Sequence, residues 1–328
     1  MTGGRTGWQV RATGGNARRT GTSVSGMSES ITVDLPTSVT LVEGEGGLPL
    51  LRVATPVATG EVYLHGAHVA EFTPAGHDPV IWMSKKSAFV PAEPIRGGVP
   101  ICFPWFGGGR EPGMAPAHGF ARLADWTLVG AEDADGVVTL TLRLTDADVA
   151  GLPGAGAWNH RFELSYAVTL GAELGLALTV RNTGEEEYSF EEAFHTYFRV
   201  KDVTAVTVEG LDGARYLDKA PGGGADLVTQ EGPVTFAAET DRVYHSTAPV
   251  TAVDPGSART ITVAKESSAN TVLWNPWTAK AAAMADFDDA EWPTMVCVET
   301  ANTLDNAVTL AAGGTHTMSA RIAVASQA

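Results

Sequence analysis

The strongest constraint on the fold of this chain is an apolar side chain at every second position over several long stretches. Between residues 138 and 144 the apolar positions are Val138, Leu140, Leu142 and Leu144, and the polar positions between them are Thr139, Thr141 and Arg143. This period of two is typical of a β-strand with one buried and one exposed face. Residues 162–170 repeat the pattern, and after Gly171 it resumes over 174–180. These two runs predict a β-hairpin.

Similar short runs recur along the chain, at residues 203–208, 260–263, 271–274, 295–298 and 315–324. The 37 glycines and 18 prolines provide turn signals between them, and only residues 279–287 have a good helical pattern. We therefore expect an all-β sandwich. The glycine-rich residues 221–224 separate strand patterns of the same kind, so we interpret them as a surface loop within one domain over residues 31–328.

Residues 1–30 are predicted to be a disordered N-terminal extension. The first 26 residues are rich in Gly and Thr, contain no acidic residue and lack the apolar core of a secretory signal. No later stretch approaches the roughly 20 apolar residues of a membrane helix. Two cysteines, Cys102 and Cys297, are too few for a disulfide framework and lack the spacing of a zinc site. We expect a cytoplasmic protein with two buried free thiols.

Composition and charge limit the partners of the chain. A hydrophobic content of 44% with 18% charged residues is ordinary for a globular protein. The net charge of −16, without a block of basic residues, argues against nucleic acid as a partner. An acidic protein can still bind an anion where a few arginines converge in one pocket. The eight histidines show no ligand spacing such as HExxH, so we expect no metal and no cofactor.

Two glycine-rich segments each contain an arginine that could serve in such a pocket. Residues 95–107, IRGGVPICFPWFG, surround Arg96 with Gly, Pro and aromatic residues, which favour rigid irregular backbone. Residues 117–122, AHGFAR, add His118 and Arg122, and two guanidinium groups would suit a phosphate. The structural alternatives are an Arg96 that satisfies carbonyl groups, a His118 in an ordinary loop and an Arg122 at the surface.

Two other segments place ionisable groups on strands. In residues 190–200, FEEAFHTYFRV, alternation puts His195, Tyr197 and Arg199 on one face and apolar side chains on the other. In residues 295–302, MVCVETAN, an apolar strand ends in Glu299, whose pKa partial burial would raise toward that of a useful base. The alternatives are a solvated histidine and a strand-end glutamate that faces water.

Two shorter motifs, DRVY and WNPW, could contact a sugar. Asp241 could orient a hydroxyl group or pair with the neighbouring Arg242, and the rings of Trp274 and Trp277 could stack on a pyranose or pack in the core.

Taken in order, IRGGVPICFPWFG, HGFAR, EAFHTYFRV, DRVY, WNPW and MVCVETAN resemble the aldose 1-epimerase superfamily, specifically its D-hexose-6-phosphate mutarotase branch, over roughly residues 41–324. The resemblance implies a β-supersandwich with the site on the concave face of one sheet. It also implies that His195 and Glu299 are the catalytic pair and that Asp241 binds sugar hydroxyls. Arg96 and Arg122 would contact phosphate, with His118 also binding substrate. The branch often has glutamine where this chain has Ala117.

The expected reaction is the interconversion of the α and β anomers of a hexose 6-phosphate by a monomeric isomerase. A carboxylate at Glu299 would take the C1 hydroxyl proton while an imidazolium at His195 protonates the ring oxygen, without metal or redox cofactor. One alternative is a mutarotase for free aldoses, and another is a carbohydrate-binding protein without turnover. A glycoside hydrolase is disfavoured because the best candidate pair is His with Glu, not two carboxyl groups.

Overall fold

A computed structural model describes residue 31 and residues 33–112 and 114–327, so the predicted extension over residues 1–30 lies outside the described part of the chain. The described residues form 23 strands and one α-helix, α1 (Trp277–Ala283). The strands are β1 (Val39–Glu43), β2 (Pro49–Ala54), β3 (Ala58–Tyr63), β4 (His68–Pro74), β5 (Ile101–Cys102), β6 (Thr127–Ala134), β7 (Val137–Thr145), β8 (Phe162–Leu170), β9 (Leu174–Asn182), β10 (Tyr188–Phe190), β11 (Glu192–Phe194), β12 (Tyr197–Arg199), β13 (Thr207–Glu209), β14 (Arg215–Asp218), β15 (Val228–Thr229), β16 (Val234–Thr235), β17 (Thr240–His245), β18 (Val250–Asp254), β19 (Arg259–Glu266), β20 (Asn270–Asn275), β21 (Met295–Asn302), β22 (Val308–Leu310) and β23 (Thr315–Ser326).

Two large antiparallel sheets dominate the architecture. One has nine strands in the order β16-β13-β18-β19-β23-β9-β8-β7-β6, and the other has eight, in the order β15-β14-β17-β20-β21-β11-β5 with β12 also paired to β21. A four-stranded sheet, β1-β2-β3-β4, and a small pair, β10 and β22, complete the fold. The predicted hairpin is β8 and β9, which pair antiparallel from Phe162 opposite Asn182 to Leu170 opposite Leu174.

One hydrophobic core joins these sheets. Leu140 and Leu178 of the nine-stranded sheet, Val296 and Val298 of the eight-stranded sheet and Val62 of the four-stranded sheet belong to the same buried cluster. The alternation in the sequence therefore has the expected cause, because every second side chain of β7, β8 and β9 enters this core. The prediction of an all-β supersandwich in a single domain is confirmed.

Two predicted elements have different bounds in the structure. Residues 203–208 are a strand only from Thr207 onward, because Asp202 accepts a hydrogen bond from the Thr204 amide and starts a 3₁₀ turn instead. The helix predicted over 279–287 spans Trp277–Ala283. It begins earlier because the Asn275 side chain accepts from the Trp277 amide, and it ends earlier because Phe287 packs on Trp82, with ring centroids 5.1 Å apart.

The strand predictions at the candidate catalytic residues also needed correction. Residues 190–200 are not one strand with a polar face, because β10, β11 and β12 are separate and both His195 and Tyr197 are buried. The strand predicted over 295–298 continues to Asn302, so Glu299 lies inside β21 and not at its end. β21 continues to Asn302 because residues 300–302 pair with β11, and β11 and β12 are separate because residues 195 and 196 lie between them outside either strand.

Cys102 and Cys297 are buried and free, as predicted. Among the described residues, no helix combines the length and the hydropathy that crossing a membrane requires.

Candidate active site

Strand β21 places Glu299 at the centre of the eight-stranded sheet. All eight residues of β21 are buried, and alternation sends Val296 and Val298 into the main core. Cys297 and Ala301 point to the opposite face, where each belongs to a separate apolar cluster. Glu299 lies between these two clusters, with 1% of its side chain exposed. A carboxyl group is therefore held in surroundings that are apolar on either side.

His195 lies beside Glu299, on the segment that neighbours β21 in the sheet. Phe194 at the end of β11 pairs with Thr300 of β21, and Tyr197 at the start of β12 pairs with Cys297 of β21. The same register holds on both sides of His195, so it puts His195 opposite Glu299. Residues opposite each other in an antiparallel pair point to the same face. Nε2 of His195 lies 3.6 Å from Oε1 of Glu299. The two groups can therefore act on the same small molecule.

The orientation of His195 is fixed by its neighbours. Its amide donates to the Pro100 carbonyl over 3.0 Å, and its ring stacks on Tyr197 with centroids 4.8 Å apart and an interplanar angle of 10°. The ring of Trp274 meets it edge to face at 5.8 Å. Nδ1 of His195 and Oε2 of Glu299 are both buried and have no hydrogen-bond partner among the described residues. Both buried atoms therefore retain unused hydrogen-bonding capacity.

Burial moves the pKa values of the pair in opposite directions. It raises the pKa of Glu299 well above its ordinary value, and Asp241 raises it further while Lys219 and Arg122 oppose the shift. It lowers the pKa of His195, and the positive charges of Arg122 and Arg96 lower it further. Burial thus favours the neutral forms of both groups.

All six residues predicted for the site line one cavity of about 280 Å³. They are Arg96, His118, Arg122, His195, Asp241 and Glu299. Asp241 enters from β17, opposite Trp274 of β20, and burial raises the pKa of its carboxyl group. A larger cavity of about 540 Å³ lies against the four-stranded sheet and contains none of these six residues, so volume alone does not identify the site.

The two arginines differ in their partners. Nε of Arg96 lies 3.0 Å from a carboxylate oxygen of Asp286, and its Nη1 donates to the Tyr197 hydroxyl over 3.0 Å. Arg122 is only 9% exposed, and its Nη2 donates to the Ala117 carbonyl over 2.8 Å. Nε of Arg122 has no partner and its guanidinium forms no ion pair within the described residues. A buried, uncompensated cation is costly unless an anion joins it, so Arg122 is suited to an anionic ligand.

His118 presents a neutral N–H group to the cavity. It has a left-handed φ of 64°, and Gly119 follows with φ of 72° where a Cβ atom would lie 2.1 Å from the Phe103 carbonyl oxygen. The Gly107 amide donates to Nδ1 of His118 over 3.2 Å, so Nε2 bears the proton. Burial and the nearby Arg122 lower the pKa of His118, which keeps the ring neutral. It can therefore donate a hydrogen bond to a ligand in the cavity.

The structure also resolves the other sequence alternatives. Trp274 lines the cavity, whereas Trp277 packs against Trp292 with ring centroids 4.1 Å apart. Arg242 does not pair with Asp241, because it lies 3.4 Å from Asp218. Arg199, predicted on the face of His195, lines the larger cavity instead.

Six residues that line the cavity were not predicted to be part of the site, namely Phe106, Gly107, Ala117, Lys219, Lys280 and Met284. Lys280 pairs with Glu239 at 3.0 Å, and Lys219 lies over the ring of Phe106. Phe106 belongs to a motif that was singled out, but the two lysines lie in segments without an unusual pattern. Among the described residues, no group of three or more His, Cys, Asp or Glu side chains could hold a metal ion.

Known proteins with related sequences and structures agree on one family. The family model for "Aldose 1-epimerase" matches residues 50–323. Two relatives named "Putative glucose-6-phosphate 1-epimerase" cover 77% of this chain: one from Escherichia coli strain K12 is 38% identical, with 83% of its length covered, and one from Cenchrus ciliaris is 36% identical, with 77% covered. The crystal structure of a "putative mutarotase" from Salmonella typhimurium superposes with a TM-score of 0.80 at 30% identity, over 93% of this chain and 100% of that one.

Proposed function

The chain belongs to the aldose 1-epimerase family and is an isomerase, and from that premise we propose that it interconverts the α and β anomers of glucose 6-phosphate or a similar D-hexose 6-phosphate. The observation that carries this proposal is the buried pair of Glu299 and His195, 3.6 Å apart, in the same cavity as the uncompensated guanidinium of Arg122. Glu299 and His195 serve as base and acid, and the guanidinium of Arg122 favours a phosphorylated sugar over a free one.

Anomerisation requires two proton movements on one hemiacetal. Glu299 takes the proton of the C1 hydroxyl, the bond between C1 and the ring oxygen breaks, and His195 gives a proton to that oxygen. The open-chain aldehyde then rotates about the C1–C2 bond and recloses on its other face while both transfers reverse. No net proton is gained or lost. Each well-placed acid or base typically contributes about 10²–10⁴-fold to the rate.

The protonation states that burial favours are compatible with this mechanism. A neutral His195 beside a protonated Glu299 contains the same number of protons as an imidazolium beside a carboxylate. Moving one proton from Glu299 to His195, through a hydroxyl group that bridges the 3.6 Å between them, therefore converts the resting pair into the active one. Both partners must be present, since neither charged form is stable alone at this depth of burial.

Recognition of the phosphate is assigned to Arg122 with Arg96. A phosphate group supplies the negative charge and the acceptor oxygens that a buried guanidinium lacks. His118 and Asp241 are proposed to bind ring hydroxyls as donor and acceptor. A monomeric enzyme in the cytoplasm remains a prediction.

The test is the rate of α-to-β conversion, measured by NMR exchange spectroscopy on glucose 6-phosphate and on free glucose. We expect wild type to accelerate conversion of the phosphate ester and His195→Ala to lose that acceleration. His77→Ala, which changes a histidine outside the cavity, should retain it. Faster anomerisation of both sugars would identify a general aldose mutarotase and would contradict the proposal that Arg122 binds the phosphate. Binding of sugar without acceleration of either would contradict the enzymatic proposal.

A further inference from the structure

Tyr197 contacts both the residue that acts as the acid and one of the two arginines assigned to the phosphate. Its ring stacks on His195, and its hydroxyl accepts a hydrogen bond from Nη1 of Arg96 over 3.0 Å. Tyr197 is only 1% exposed and is not among the described residues that line the cavity. It can therefore influence a ligand in the cavity only through the residues that do line it.

The position of Tyr197 is fixed by its backbone and by other rings. Its amide donates to the Gly98 carbonyl over 2.9 Å, and its carbonyl accepts from the Trp82 amide over 3.0 Å. The ring lies nearly parallel to that of Trp82, with centroids 5.7 Å apart and an interplanar angle of 18°. The Trp274 ring meets it edge to face at 5.9 Å. Tyr197 therefore presents a rigid surface to its neighbours.

The ring of Tyr197 acts on His195. The two rings lie 4.8 Å apart at an interplanar angle of 10°, so the stack opposes rotation of the imidazole and keeps its Nε2 3.6 Å from Oε1 of Glu299. The face of an aromatic ring also attracts a cation. The stack thus favours the imidazolium that the mechanism uses, against the burial that lowers the pKa of His195.

The hydroxyl of Tyr197 acts on Arg96. Nε of Arg96 lies 3.0 Å from a carboxylate oxygen of Asp286, and Nη1 donates to Tyr197, so two partners hold the planar guanidinium. Its other N–H groups remain for an anionic ligand, and a planar donor set suits a phosphate only when its plane is correctly oriented. The hydroxyl therefore helps to fix the direction in which Arg96 offers these donors.

We propose that Tyr197 is a positioning residue with two separable parts, a ring that orients His195 and a hydroxyl that orients Arg96. This role rests on the proposed function, in which His195 protonates the ring oxygen of the sugar and Arg96 contacts the phosphate. Removal of the hydroxyl and removal of the ring should then impair different properties of the enzyme.

The experiment compares Tyr197→Phe, which keeps the ring, with Tyr197→Leu, which removes it. Tyr197→Phe should raise KM for glucose 6-phosphate about tenfold and keep kcat within about twofold of wild type. Tyr197→Leu should raise KM similarly and lower kcat about tenfold or more. The control is Tyr188→Phe, since Tyr188 is a buried tyrosine of β10 whose hydroxyl donates to the Arg181 carbonyl over 3.5 Å. Tyr188 does not line the cavity, so this variant should behave as wild type does.

Two measurements test the same role without turnover. Calorimetry should show that Tyr197→Phe and Tyr197→Leu both bind glucose 6-phosphate about tenfold more weakly than wild type. In the NMR spectrum, the ring current of Tyr197 should shift the Cε1–H resonance of His195 upfield. Tyr197→Phe should retain this shift and Tyr197→Leu should lose it. Because the wild-type resonance already reports the stack, this part does not depend on the stability of Tyr197→Leu.

Several results would overturn the inference. Unchanged binding of glucose 6-phosphate by Tyr197→Phe, or a wild type that does not bind it, would refute the role of the hydroxyl. An unshifted His195 resonance in wild type would refute the role of the ring, and an equal loss of kcat in both variants would refute the division between them. A wild type that binds glucose 6-phosphate without accelerating its anomerisation would contradict the proposed function, whereas calorimetry and the resonance of His195 would still decide the role of Tyr197.

Discussion

Replacing Arg122 by methionine is expected to stabilise the empty protein while it impairs the reaction of phosphorylated sugar. The guanidinium is 9% exposed, forms one hydrogen bond, to the Ala117 carbonyl, and leaves Nε without a partner among the described residues. Methionine keeps the unbranched apolar stem and removes the charge. The two effects have the same cause, because a buried cation destabilises the fold unless an anionic ligand neutralises its charge.

The expected change in the free energy of unfolding is the difference between two opposing contributions. A buried charge without a partner costs about 3–5 kcal/mol, and a hydrogen bond that involves a charged group returns about 1.5–3 kcal/mol. The difference predicts that Arg122→Met raises the free energy of unfolding by about 1–2 kcal/mol. Loss of two such bonds to a bound phosphate, at about 1.5 kcal/mol each, predicts a decrease in kcat/KM for glucose 6-phosphate of roughly a hundredfold.

Urea unfolding with and without inorganic phosphate, together with NMR exchange, measures both effects. Phosphate should stabilise wild type by mass action and should stabilise Arg122→Met much less. Arg96→Met is the matched comparison, because Arg96 is already paired with Asp286 at 3.0 Å and its loss leaves that carboxylate without its partner. We expect this variant to lose stability. The reasoning is refuted if Arg122→Met is less stable than wild type and retains the preference for glucose 6-phosphate over glucose.

Three further predictions concern buried carboxyl groups. Glu299→Gln should slow anomerisation by at least about a hundredfold and leave binding of glucose 6-phosphate measurable, whereas unimpaired exchange would disprove its role as base. Burial raises the pKa of Glu299 above its ordinary 4.5, so its contribution to stability is complete below pH 4.5 and is lost as the pH rises toward the folded-state pKa. Urea midpoints of Glu299→Gln should therefore depend less on pH above 4.5, and parallel profiles for variant and wild type would contradict this. Glu191 accepts hydrogen bonds from the amides of Phe106 (2.9 Å) and Leu304 (2.6 Å) and from the Thr303 hydroxyl (3.0 Å). Glu191→Ala should therefore lower the free energy of unfolding by about 3 kcal/mol or more. A loss below about 1 kcal/mol would show that these donors find other partners.

The sequence predicted the strands of the core because their alternation is local. Each of β7, β8 and β9 contains enough apolar residues at every second position to define a buried face without its partners. The helix was located less well, since its end depends on Phe287 meeting Trp82, which is distant in the chain. Local pattern therefore identified the elements, and distant contacts decided where some of them end.

The site was predictable only as far as its motifs were unusual. Dense glycine and aromatic context singled out Arg96 and Arg122, but no local signal shows that the first is paired and the second is not. The partner of Arg96 is Asp286, 190 residues away. Lys219 was missed for the same reason, because its place in the cavity comes only from its register with Asp241 across β14 and β17.

The position of the arginines suggests that phosphate does more than hold the substrate. After burial, the charges of Arg122 and Arg96 hold the pKa of His195 down, whereas the charges that act on Glu299 are those of Asp241, Lys219 and Arg122. An anion bound by the arginines offsets two cations that act on His195, Arg122 and Arg96, but only one that acts on Glu299, Arg122, so it favours the imidazolium more than it disfavours the carboxylate. On balance it therefore favours the pair of imidazolium and carboxylate, the forms that the mechanism uses. A free sugar lacks this anion and leaves the pair neutral, so we expect the preference for a phosphorylated substrate to appear in kcat as well as in KM.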